Sequence, residues 1–167
     1  MSPTPSFDPT RDLVLTRVVD VPRDLVWRAW TEPEQLKQWF CPKPWNTTHC
    51  EIDLAPGGRF RTVMEGPNGE RSDSTGCYLE VVAGRRLVFT SVLGPGFRPL
   101  EQAEGGLAFT AVITLEDDGQ GTRYTATAMH PTAAGRQAHE AMGFHQGWGA
   151  ALDQLVAMAK QQLSSRS

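Results

Sequence analysis

Between residues 132 and 163 the chain repeats apolar residues at helical spacing: Ala141, Phe144, Trp148, Leu152, Leu155 and Ala159. Steps of three and four put these side chains on one face of an α-helix. Glu140, Gln146, Asp153, Gln154, Lys160 and Gln161 fall mostly on other faces. At about 1.5 Å per residue such a helix is roughly 45 Å long, enough to cross a small domain with a single apolar stripe. Gly143, Gly147 and Gly149 interrupt it. Glycine costs up to about 1 kcal/mol in a helix interior, so the three predict a bend, a close backbone approach, or room left for a guest. Gly147 and Gly149 are expected to let the helix sit tightly around Trp148.

The preceding chain supplies the surface that the stripe covers. Leu13 to Val19 alternates and is rich in β-branched residues, which reads as a strand. Asp20-Val-Pro22 turns the chain into a short helix with Leu25, Val26, Ala29 and Trp30 on one face. Trp30 is assigned to packing. Thr31-Glu-Pro-Glu34 reads as a capping box opening a second short helix, with Leu36, Trp39 and Phe40 inward. The prolines of Cys41-Pro-Lys-Pro-Trp45 end it. Six further strands are expected over His49–Leu54, Arg59–Glu65, Ser74–Val82, Arg86–Leu93, Leu107–Leu115 and Thr122–Met129, joined by Gly- and Asp-rich turns. The Gly94–Pro99 segment reads as a loop. The fold class is α+β, in the order β-αα-β6-α. A six- to seven-stranded curved antiparallel sheet wraps around the long C-terminal helix, and the two short helices after strand 1 plug one end. One domain is expected over residues 12–163, with tails at 1–11 (disordered) and 164–167.

Composition removes several function classes. The net charge of -3 and pI near 5.8 leave no basic excess for nucleic acid. No apolar run is long enough to span a membrane. The first residues lack signal-peptide character, which gives a cytoplasmic location by default. Three cysteines (Cys41, Cys50, Cys77) are an odd number without framework spacing and read as reduced thiols. His49-Cys50-Glu51 matches no zinc spacing, so no metal is expected. Gly94-Pro-Gly96 lacks the helix and lysine of a phosphate loop. No cofactor is implied.

The residues expected to face the space between helix and sheet are Trp39, Phe40, Trp45, Phe60, Met64, Tyr78, Phe89, Phe109, Met129, Phe144, Trp148 and Leu152. They read either as the lining of a pocket for a hydrophobic or aromatic ligand, or as ordinary core. No catalytic set can be assembled from local spacing. His145, beside Phe144, is the candidate acid or base, against the plainer reading of a rim histidine. His130 and His139 are expected to be exposed or capping. Asp53 and Arg59 flank the Pro-Gly-Gly turn and are expected to pair across it. The inward faces of Arg61 and Glu80 are left open.

Several motifs, in this order, resemble the START-like helix-grip (SRPBCC) superfamily. They are Arg17 with Asp20-x-Pro22, Val26-Trp-x-x-Trp30, Leu36-x-x-Trp39, Asp53-x-x-Pro-Gly-Gly-Arg-Phe60, and Phe144-x-x-Gly-Trp148 with Leu152 and Leu155. Within the superfamily the chain looks like the single-domain bacterial homologues of the activator of Hsp90 ATPase, from about Asp12 to Leu163. The resemblance implies a fold that hosts lipid carriers, hormone receptors, polyketide cyclases and stress proteins, and a fold does not by itself give a function. The leading expectation is a binding protein for a hydrophobic small molecule or lipid, more readily a binder than an enzyme. A cyclase or isomerase acting on a polyketide-like substrate is the alternative, and a chaperone-associated interaction protein the second. A homodimer is compatible with all three. The 167 residues leave no room for the N-terminal domain that carries much of the chaperone contact in eukaryotic activators, so Hsp90 contact is not carried over.

Overall fold

The computed structural model describes residues 7–102 and 107–166. The first six residues of the expected N-terminal tail lie outside them. Strand β1 (Asp12–Val19) leads into helix α1 (Arg23–Thr31) and the single turn α2 (Pro33–Leu36). Strands β2 (Asn46–Ile52), β3 (Arg59–Glu65), β4 (Arg71–Val82) and β5 (Arg86–Thr90) follow as successive hairpins. A small ribbon, β6 (Leu93–Gly94) with β7 (Arg98–Pro99), precedes β8 (Thr110–Asp118) and β9 (Gly121–Met129). Helices α3 (Ala133–Ala141) and α4 (Phe144–Arg166) close the chain.

The seven longer strands form one antiparallel sheet in the order β1-β9-β8-β5-β4-β3-β2. β1 therefore pairs with the last strand, and the α1-α2 connection carries the chain from one edge of the sheet to the other. Alternation sorts the residues. Ala111, Ile113, Leu115, Tyr124, Ala126, Leu87 and Phe89 turn inward and pack with Leu152, Leu155 and Ala159 of α4 in one buried cluster. Bulges in β2 (between Thr47 and His49) and in β4 (between Tyr78 and Glu80) break that alternation.

Several expectations change. The single long helix is two helices. Thr132 caps α3 by accepting from the Gly135 N–H at 3.0 Å, and the chain breaks at Gly143, whose φ of 93° is open to glycine and costly for other residues. α4 then runs through Arg166, past the expected tail boundary. Gly149 does meet a close neighbour: a Cβ there would lie 2.8 Å from Arg17 Nη2. Gly147 does not, since a Cβ there would find only Pro42 Cγ at 3.8 Å, an ordinary contact.

The capping box is absent. Thr31 Oγ1 instead donates back to the Trp27 carbonyl, and Glu32 precedes α2 without a side-chain cap. Arg59 pairs with Glu51 at 3.3 Å rather than with Asp53. The Gly94–Pro99 loop is the β6-β7 ribbon, docked on the Ala55–Gly58 turn through the Gly96 N–H to Gly57 O bond of 2.8 Å, with the Phe97 ring over Gly57. Arg61, opposite in phase to the buried Phe60, points outward to Glu51 and Asp73, and Glu80 pairs with Arg86. Glu51 is held down at about 2, first by Arg61 and then by His49.

Candidate functional site

A pocket of about 590 Å³ opens between the N-terminal half of α4, the segment after α2, and the inner face of the sheet. Its walls come from elements far apart in sequence. The segment after α2 gives Trp39, Phe40, Cys41, Pro42, Lys43 and Trp45. The sheet side gives Met64, Phe89, Phe109 and Tyr124, and α1 gives Trp30. The helical side gives His139, Met142, Gly143, Phe144, Gly147, Trp148 and Ala151.

The aromatic rings brace each other. Trp30 and Trp39 meet edge to face at 4.9 Å, and Phe144 lies 4.8 Å from Trp148. Trp39 Nε1 donates to the Ala29 carbonyl at 3.0 Å, which fixes its indole against α1. Gln154 holds the wall formed by residues 39–43. Its Nε2 donates to the Trp39 and Cys41 carbonyls at 3.1 and 2.9 Å, and its Oε1 accepts from the Lys43 N–H at 3.2 Å. One amide side chain thus ties an irregular segment to α4 and satisfies three backbone groups.

The structure brings together eight of the twelve expected residues at this pocket: Trp39, Phe40, Trp45, Met64, Phe89, Phe109, Phe144 and Trp148. The other four lie elsewhere. Phe60 and Tyr78 stack at 5.2 Å in the core, and Leu152 is buried in the same cluster. Met129 alternates with the buried Ala128 and so falls on the outer face of the sheet. Trp30, expected only to pack, packs and also reaches the pocket. His145 turns away from it, with an exposed side chain 3.7 Å from Glu140.

The histidine that reaches the pocket is His139. Both His130 and His139 are buried, against the expectation that they are exposed or capping. His130 Nδ1 lies 2.7 Å from the Arg11 carbonyl, and His130 Nε2 lies 2.9 Å from His139 Nδ1. The rings of Phe109 and Phe144 stand 5.1 and 5.2 Å from His139. Helical spacing hid this residue. Five positions before Phe144, it falls off the apolar face of a continuous helix, and only the break at Gly143 turns it inward.

Burial, and next the neighbouring His130, push the His139 imidazole down to about 4. Burial also raises the Tyr124 and Tyr78 hydroxyls and the Cys41 thiol, so these stay protonated at neutral pH. Among the described residues, no group of three or more His, Cys, Asp or Glu could hold a metal ion, and the three cysteines are free and buried.

The lowered His139 value has a consequence for stability. The folded group refuses a proton that the unfolded chain accepts at its ordinary 6.5. The unfolded state therefore binds more protons between pH 6.5 and about 4, and stability falls as pH falls through that window. The loss between pH 7 and pH 5 is on the order of 2 kcal/mol. Glu51 acts lower, between its ordinary 4.5 and about 2. Urea midpoints of the wild type and His139→Phe at pH 7 and 5 check this. The variant is expected to lose most of the slope, and an equal slope in both proteins would refute the assignment.

A family model described as "Activator of Hsp90 ATPase homolog 1-like protein" matches residues 20–160. The chain is similar to a crystal structure of a protein from Nitrosomonas europaea, with 48% identity, 95% of this chain and 99% of that chain covered, and a TM-score of 0.90. A protein from Mycobacterium smegmatis is 26% identical over 90% of this chain and 91% of that one, with a TM-score of 0.74. A protein from Rhodobacter sphaeroides is 21% identical over 91% of this chain and 94% of that one, with a TM-score of 0.79, a likeness of fold. No curated protein matches the chain. No described helix is long and apolar enough to cross a membrane.

Proposed function

Because the chain belongs to the Activator of Hsp90 ATPase homolog 1-like family, and through it to the START-like helix-grip superfamily, we propose that it binds a hydrophobic or aromatic small molecule or lipid between α4 and the sheet. One observation carries the reading. The pocket of about 590 Å³ has the size and the largely aromatic walls of small-ligand sites. Its rings are braced by neighbours and by the Gln154 amide, so a ligand meets a surface that is already ordered.

Four of the five tryptophans, Trp30, Trp39, Trp45 and Trp148, line the pocket, so indole emission reports its occupancy. Titration with naphthalene-type probes and with fatty acids is expected to change that emission saturably, and native mass spectrometry of protein purified from its host to show a bound apolar mass. If no apolar probe gives a saturable change, the reading fails.

The cyclase or isomerase reading has one observation in its favour, a neutral imidazole at the pocket wall, His139. It requires turnover of a bound enolisable compound that His139→Phe abolishes. The chaperone reading suggested by the family's description is separable. A pull-down with the host's Hsp90 homologue tests it without reference to the pocket.

A further inference from the structure

The hydrogen-bond chain at the end of α3 fixes the tautomer of both histidines. A carbonyl oxygen can only accept. The 2.7 Å contact to the Arg11 carbonyl therefore places a proton on His130 Nδ1. In a neutral ring His130 Nε2 is then a bare acceptor, so the 2.9 Å contact must be donated by His139 Nδ1–H. That leaves His139 Nε2 with a lone pair. Among the described residues nothing hydrogen-bonds it, although His139 is only 6% exposed and lies on the pocket wall.

From this geometry, and resting on the pocket reading above, we propose that His139 Nε2 is the polar anchor of the pocket. It accepts a hydrogen bond from the hydroxyl of a neutral aromatic ligand of the phenol or enol class. The surroundings fit that ligand. Phe109, Phe144 and Trp148 ring the imidazole at 5.1, 5.2 and 6.1 Å and offer faces and edges to an aromatic body. The imidazole stays neutral at pH 7 and so keeps its lone pair.

The arrangement also dictates where an extra proton goes. With the Arg11 carbonyl holding a proton on His130 Nδ1, either cationic form of the pair carries a hydrogen on His139 Nε2. If the charge sits on His139, both of its nitrogens are protonated. If it sits on His130, His130 donates to His139 Nδ1 and the hydrogen of His139 moves to Nε2. Protonation therefore turns His139 Nε2 from acceptor to donor in every case. The same atom that anchors a phenol is the one that would receive its proton.

The test uses 1-naphthol and naphthalene, which differ by one hydroxyl, titrated by tryptophan emission against the wild type and His139→Phe. The wild type is expected to favour naphthol by several-fold to about tenfold. His139→Phe is expected to bind naphthol no better than naphthalene, because its hydroxyl is buried without a partner. Equal affinities in the wild type, or an unchanged preference in the variant, overturn the anchor and leave the pocket reading standing. Binding of neither compound overturns both.

A second measurement needs no variant. Ring-nitrogen NMR of the ¹⁵N-labelled wild type is expected to show His139 Nε2 as an unprotonated nitrogen at neutral pH, moved by naphthol and not by naphthalene. A protonated Nε2 in the free protein would overturn the proposal.

Discussion

Replacing Trp39 with alanine is expected to remove about 3–5 kcal/mol of folding stability, the range for truncating a buried aromatic side chain. Domains of this kind have about 5–15 kcal/mol in total, so the variant should be near the limit of folding. Trp39 is 3% exposed and sits where several constraints meet. Its indole packs against Trp30 at 4.9 Å and Phe40 at 5.6 Å, and its N–H satisfies the Ala29 carbonyl. Its own carbonyl accepts from Gln154, so the residue also holds α4 against the pocket wall. Trp39→Phe is the control. It keeps a ring and loses the hydrogen bond, at an expected cost of about 1–3 kcal/mol. Urea denaturation of the three proteins gives the comparison. A loss below about 1 kcal/mol for the alanine variant would show that the site collapses around the gap.

Filling the pocket from Gly147 is expected to do the opposite: little change in stability and a large change in binding. A side chain there would meet Pro42 Cγ, 3.8 Å from the Cβ position, and both residues line the pocket. In the helix, replacing glycine gains up to about 1 kcal/mol from propensity. Gly147→Leu and Gly147→Trp should therefore unfold at or above the wild-type urea concentration. They should weaken naphthalene binding in that order, with the tryptophan variant down by about tenfold or more, or about 1.4 kcal/mol. From spacing alone, the same glycine is expected to sit against a neighbour, in which case Gly147→Leu costs roughly 1–3 kcal/mol by overpacking. Stability and affinity measured on one variant separate the two. Lost stability restores the close-approach reading, and unchanged affinity removes Gly147 from the ligand's path.

The strands and their antiparallel hairpins were legible because their signals are local, whereas the pairing of β1 with β9 came only with the fold. Alternation in Ala111, Ile113 and Leu115, and turn chemistry at Ala55–Gly58, act over a few residues. Strand ends were less legible. The segment from Leu107 to Phe109 reads as strand, yet β8 begins at Thr110, with Ser91 accepting from the Phe109 N–H and capping the approach. The capping box at Thr31–Glu34 failed for a related reason. A threonine ending one helix can bond backward to Trp27 as readily as forward, and α1 offered it that partner. The pocket was half legible. Trp148 and Phe144 belong to a periodic face, whereas Lys43, Pro42 and Tyr124 join the wall only through the fold.

By itself the sequence determined the α+β class, the seven long strands with short helices after the first, and the apolar face of α4, because each rests on residue spacing within one segment, while the family rests on the order of several such motifs along the chain. Tertiary structure decided what the glycines of the last helical region do. Gly143 breaks one expected helix into two through a backbone conformation that no spacing rule specifies, and Gly149 makes room for Arg17. Gly147 is left open toward the pocket. The break in turn rotates His139 inward and sets it against His130, 2.9 Å away and nine residues earlier. The placing of a buried histidine pair at the pocket wall depends on where two chain segments meet and on which carbonyl lies beyond them. Neither is encoded in the periodicity of either segment.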